Sequence, residues 1–192
     1  MFAAYIRRLT GRYFYQLRQL RSIHRTLTIE ASKTLVHALV ITRVNYCNSI
    51  FDLTSTVHLR PLQSVVNAAA RLIVKRRKYD HITDSLRDYL HWLPIYYRCY
   101  YKMCIFIYKC LHCVDPSYLV DQYVPIAMNS ARSGVRSATN RNLAYPRTNL
   151  VRYKQRSFGV IGSKTWNELP ADLRDPDINL DAFCKNVKLC YK

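Results

Sequence analysis

The chain has 192 residues, 49% of them apolar, and a net charge of +18. That is long enough to bury a core and too apolar for a disordered tail. Four glycines against sixteen tyrosines argue against a turn-rich β architecture, and no apolar run approaches the ~18 residues a membrane span needs. Phe2, Ile6, Leu9, Tyr13, Leu17, Leu20 and Ile23 recur three or four apart and predict a helix over 2–24, with the arginines mostly off its apolar face. Thr28 is placed to cap a second helix, in which Val36 and Val40, and Leu35 and Leu39, repeat at i+4 as far as Val44. NYCNSIFDLTS reads as a turn, and Thr56 as the cap of the next helix. Pro61 suits that helix only in its first turn, where a missing N–H is harmless. Helical spacing continues from Leu62 to Val74, and its alanines predict the close approach of a neighbouring helix, with Arg71 on the far face.

Thr83 is read as the cap of a short helix ending at Leu90, and Pro94 as the opening of a long one, PIYYRCYYKMCIFIYKCLHC. The long helix is apolar nearly all round and is expected to be buried between neighbours until Asp115-Pro116 stops it. Residues 122–156 have no helical period, and LAYPRTNLVRY has the composition of a short strand pair. SFGVIGSKTWNEL predicts an irregular helix, and Asn179 caps a last one containing Leu180, Phe183 and Val187. The expected fold is mainly α, a bundle of about five to seven helices with an irregular, partly stranded segment near 122–156. It is expected to divide into a helical domain over 1–121 and a basic C-terminal part over 122–192.

Charge is unevenly spread. Residues 1–78 hold fourteen Lys/Arg and two acids, and 129–164 hold eight and none, whereas 79–128 and 165–192 are nearly neutral. Two cationic blocks suit a polyanion, RNA or DNA. In the first block Arg12, Arg18, Arg21 and Arg25 follow the first helix, and Lys75, Arg76, Arg77 and Lys78 close the stretch NAAARLIVKRRKYDHIT. In the second, Arg147, Arg152, Lys154 and Arg156 alternate with Tyr145, Tyr153 and Phe158, a pattern for holding a backbone and stacking on bases. These twelve cations are the candidate nucleic-acid contacts, phosphate-led and low in sequence specificity. The helix dipole alone also favours cations at a helix end, so Lys75–Lys78 stay open between a phosphate grip and a solvated terminus. Two other readings stand beside this one: attachment of residues 2–25 to an anionic membrane, and a helical protein-interaction module using the aromatic segment 94–123. The expectation adopted is nucleic acid and no membrane.

Catalytic machinery is sparse. The first 78 residues contain only Glu30 and Asp52 as acids, and no Asp-Asp pair occurs, whereas nucleotidyl transfer needs carboxylates converging on divalent metal. Asp80, Asp84 and Asp88 recur at i+4, which the dipole of a helix N-terminus explains. Cys110-Leu-His-Cys113 has zinc-knuckle spacing but no second pair to complete four ligands. Neither GxGxxG nor a GKS/T phosphate cradle is present. The chain is therefore expected to be no enzyme by itself, with no catalytic residue, no metal and no cofactor. Seven cysteines and arginines inside MFAAYIRRLTGRYF suggest reduced thiols and an intracellular setting, nucleus or cytoplasm.

Five stretches in order carry a family resemblance. YFYQLRQLRSIHRTLTIEASKTLVHALVITRVNYCNS, LQSVVNAAARLIVKRRKYDHIT, LHWLPIYYR, YKCLH and RSFGVIGSKTWNELPADLR resemble the region downstream of the palm in LINE-type (non-LTR, jockey-like) retrotransposon reverse transcriptases. The likeness runs from about Tyr13 to Lys188. It implies the thumb and helical C-terminal part of an RNA-directed DNA polymerase, whose catalytic Asp-Asp lies in the preceding palm. In that family the thumb grips the template–primer duplex, which gives the basic blocks an expected task and makes the palm and fingers expected partners. With a starting Met and no palm, the sequence is expected to be an open reading frame cut from, or decayed out of, a retroelement. Family copies often carry Asp at the position of Asn45, Gly at Cys113, Pro at Ser163 and a basic residue at Pro61.

Overall fold

The computed structural model describes residues 2–46, 48, 56–128, 140–146 and 157–191, with the backbone alone at 2, 3 and 56. The chain is mainly α-helical: α1 (Phe2–Ile23), α2 (Ile29–Val36), α3 (Thr42–Asn45), α4 (Thr56–Ile73), α5 (Ile95–Leu111), α6 (Ser117–Val120), α7 (Phe158–Asn167) and α8 (Leu180–Cys190). Among the described residues no strand forms. Pro125 and Leu143 make one isolated antiparallel bridge, and the rest of the expected strand pair, beyond Pro146, lies outside the described residues. None of these helices is long and apolar enough to cross a membrane.

Two compact units divide the chain, Met1–Cys99 and Tyr100–Lys192. The division falls inside α5. Ile95 and Cys99 belong to the core of the first unit, while Tyr100, Met103, Cys104 and Ile107 belong to that of the second.

In the first unit α1 buries Ile6, Tyr13, Leu17 and Leu20, while Ile23 at its end stays exposed. Its main neighbour is α4, which buries Leu62, Val65, Val66, Ala69, Ala70 and Ile73. Thr28 caps α2 as expected, its Oγ1 accepting from the Ala31 N–H at 3.2 Å. Between α2 and α3 the chain widens into a π-helical turn, His37–Ile41. The Thr42 hydroxyl donates to the His37 carbonyl at 2.9 Å, five residues back, and so competes with the ordinary i→i−4 bond. Thr56 is the first residue of α4, not its cap, and Pro61 stands in the second turn. There it withholds a bond from the carbonyl of exposed Val57, which solvent can serve.

The expected helix 83–90 is a π-helical turn, Ser85–Tyr89, and Thr83 does not cap it: its hydroxyl lies 3.5 Å from His81 Nε2. The start of α5 is capped from α4, since Gln63 Oε1 accepts from the Ile95 N–H at 2.8 Å. This helix is one-faced and not buried all round: Tyr96, Tyr97 and Phe106 are exposed. It ends before Asp115-Pro116, in a left-handed turn at Cys113 (φ 54°), where the Val114 N–H reaches back to the Lys109 carbonyl at 2.9 Å. A glycine would adopt that φ without a Cβ penalty, whereas Cys113 holds it with one.

In the second unit Phe183 of α8 is fully buried, stacked on Tyr108 of α5 and Trp166 of α7 at 4.6 and 6.0 Å between ring centroids. The expectation of irregularity in 157–169 fails: α7 is a regular helix, whose two glycines accommodate close neighbours and not a break. Asn167 ties residues 140–146 to α7, accepting from the Leu143 N–H at 2.8 Å and donating to the Leu143 carbonyl at 3.0 Å. Trp166 Nε1 donates to the Arg141 carbonyl at 3.2 Å and Ser163 Oγ to the Ala144 carbonyl at 3.2 Å. A segment without periodicity is thus held by side chains in place of a ladder.

Candidate nucleic-acid interface

Helix spacing sets the first wall of the site. Positions 14, 17, 18 and 21 of α1 are separated by three, one and three residues, so they share one stripe of the helix. The second wall comes from α4, where Ala68, Arg71 and Leu72 have the same spacing. Together with Lys78 these residues line an open groove of about 410 Å³ within the first unit. Its apolar lining is Phe14, Leu17, Ala68 and Leu72; its charged lining is Arg18, Arg21, Arg71 and Lys78. No acid lines it, and among the described residues none of these four cations is in an ion pair.

The loop after α4 carries Lys78 to the groove by a specific backbone route. Lys75 takes the left-handed conformation (φ 54°). Its N–H donates to the Leu72 carbonyl at 3.4 Å, and the Arg76 N–H to the Arg71 carbonyl at 2.9 Å, the paired bonds of a Schellman turn. Asp80 then fixes the loop: its Oδ2 accepts from the Arg77 N–H at 2.9 Å, and its carbonyl accepts from Arg71 Nε at 3.0 Å. Asp80 thus lies before the helical turn, as expected, with Asp84 and Asp88 inside it, and Asp88 meets Arg87 Nε at 3.2 Å. Among the described residues no three His, Cys, Asp or Glu side chains gather as a metal site. In CLHC, burial and the neighbouring Asp115 carboxylate push the Cys110 thiol up to about 11, while Cys113 is exposed and His112 stacks on Tyr108.

Of the twelve candidate contacts, Arg18, Arg21 and Lys78 are brought together in the groove. Arg12 and Arg25 are exposed but outside its lining, as are Arg76 and Arg77. Lys75 turns its Nζ to the Leu27 carbonyl at 3.4 Å. Arg147, Arg152, Lys154 and Arg156 lie outside the described residues. Arg141, at the edge of the second cationic block, is paired with Asp175 at 2.6 Å, a hydrogen bond that lowers the Asp175 carboxyl below its usual range. Arg71 is the site residue the sequence reading missed. The sequence suggests the far face of its helix, but it flanks Leu72 at the edge of the buried face. Its spacing of three from Ala68 was the available signal.

Two of the four cations have a local rationale. Arg21 and Arg71 lie in the last turns of their helices, where the dipole favours positive charge by ~0.3–1 kcal/mol each. Lys78 lies beyond any helix, and the dipole does not explain why all four surround one concavity. Clustered like charges raise the local potential and favour a polyanion that can neutralise them. No family model, curated protein or solved structure matches this chain.

Proposed function

We propose that the chain corresponds to the thumb and helical C-terminal part of a LINE-type reverse transcriptase and binds template–primer RNA or DNA through phosphates, without catalysing polymerisation itself. The observation that supports the reading most is the acid-free groove lined by Arg18, Arg21, Arg71 and Lys78. In this reading its physiological companions are the palm and fingers of the parent polymerase, in the nucleus or cytoplasm. The motif resemblance supplies the family, and the charge supplies the partner class.

Fluorescence anisotropy with labelled oligonucleotides across a salt series tests it. Each phosphate-neutralising cation adds roughly one to the slope of log affinity against log salt. The variant R18Q/R21Q/R71Q/K78Q is expected to flatten that slope by about three to four, and R12Q/R25Q by less. An unchanged slope in the groove variant removes the groove from the interface. Nucleotide incorporation by the purified chain on a primed template with Mg²⁺ or Mn²⁺ would contradict the absence of catalysis.

A further inference from the structure

Four cations account for attraction to phosphate but not for the apolar residues beside them. Phe14, Leu17, Ala68 and Leu72 give the groove an apolar part to its lining, and Phe14 is 39% exposed. A phosphate alone has no use for such a surface. A duplex presents a convex rim of phosphates and sugars, with its bases paired and stacked inward, so its apolar faces cannot reach Phe14. A single strand differs, because an unstacked base can turn into a concavity while its own phosphate stays at the rim. The groove, of about 410 Å³, has room for a base as well as for the phosphates at its edge.

We infer that this groove binds single-stranded nucleic acid, with one base against Phe14 and the flanking phosphates held by Arg18, Arg21, Arg71 and Lys78. The inference rests on the nucleic-acid reading above and narrows it from duplex grip to strand capture. Asp80 acts as a positioning residue: it touches no ligand but holds the Arg77 backbone and Arg71 Nε, and so sets the loop that delivers Lys78. A second ring close by, Tyr79, is 87% exposed with Lys78 Nζ 5.2 Å from its centroid, which extends the aromatic and cationic surface outward.

The test compares three labelled ligands of equal phosphate number: a single strand, the same sequence as a duplex, and an abasic single strand. The single strand is expected to bind about tenfold more tightly than the abasic one, the usual worth of one base–aromatic contact. The variant F14L should remove most of that difference and keep the helical circular dichroism. Equal affinity for normal and abasic strands, or preference for the duplex, overturns strand capture and leaves the phosphate reading intact. Binding to none of the three, with binding to phosphatidylserine vesicles instead, overturns both. A normal-over-abasic preference that survives in F14L overturns the assignment of the base to this groove.

Discussion

Arg98 shows how much one side chain's surroundings decide. It is 8% exposed, with Nε donating to the Leu93 carbonyl at 2.6 Å, Nη1 donating to Asn45 Oδ1 at 3.2 Å, and its guanidinium 5.5 Å from the Trp92 ring centroid. Burial lowers it to about 10 from the ordinary 12.5. A guanidinium keeps its proton throughout the range in which proteins stay folded, so the burial is a cost of carrying this charge, offset by its hydrogen bonds. Asn45 is the position where the family resemblance places Asp. The variant N45D is expected to stabilise the first unit by about 1 kcal/mol at neutral pH, a charge-assisted bond less the desolvation of a new carboxylate. With Arg98 beside it, that carboxyl titrates below its unfolded value of ~3.9. The gain is therefore present above about pH 4 and lost as pH falls through the folded value. Urea unfolding of both proteins at neutral and acid pH measures this; a gain that persists in strong acid would contradict the ion pair.

At the scale of elements, two helical glycines look alike in sequence and differ in space. Gly11 on α1 has nothing within 4 Å of a prospective Cβ, whereas at Gly162 on α7 that atom would lie 2.6 Å from Tyr123 Cε1. The Tyr123 ring is buried, packs edge-on to Phe158 and donates its hydroxyl to the Phe158 carbonyl at 3.2 Å, so it has little room to retreat. Gly11→Ala is expected to stabilise by about 0.5–1 kcal/mol through helix propensity. Gly162→Ala is expected to destabilise by about 1–3 kcal/mol through overpacking. Thermal melts of the two variants check the opposite signs. The existence of α1, α4, α5 and α8 follows from apolar spacing, but their ends do not. The α4 terminus depends on a left-handed Lys75, and the start of α5 on Gln63, thirty-two residues away.

Across the whole molecule, tyrosine governs the response to alkali. Burial raises Tyr13 in the first unit and Tyr100, Tyr108, Tyr123 and Tyr191 in the second above the usual 10.0, and pushes Tyr101 up to about 12. The folded state keeps phenolic protons that the unfolded chain gives up near pH 10, so this stability is present below that pH and lost as pH rises through the folded values. Tyrosinate absorbance is expected to rise in two stages, exposed rings first and buried rings together with loss of helical circular dichroism. Complete titration before any loss of helix would contradict the burial.

Composition and periodicity determine that this chain is mainly helical, basic and organised around one-faced helices, because those properties follow from side-chain spacing of 3.6 and from counting charges. They also mark Arg18, Arg21 and Lys78 as available cations. That Arg71 joins them, that Lys75 turns to the Leu27 carbonyl, and that Arg141 is paired to Asp175 are decided by contacts between residues far apart in sequence. The division within α5 has the same origin, since apolar spacing along a helix holds no sign of which core each of its turns will enter. Charge is a property of residues, whereas a site is a property of what surrounds them, and only the tertiary fold brings four cations and a phenylalanine to one groove.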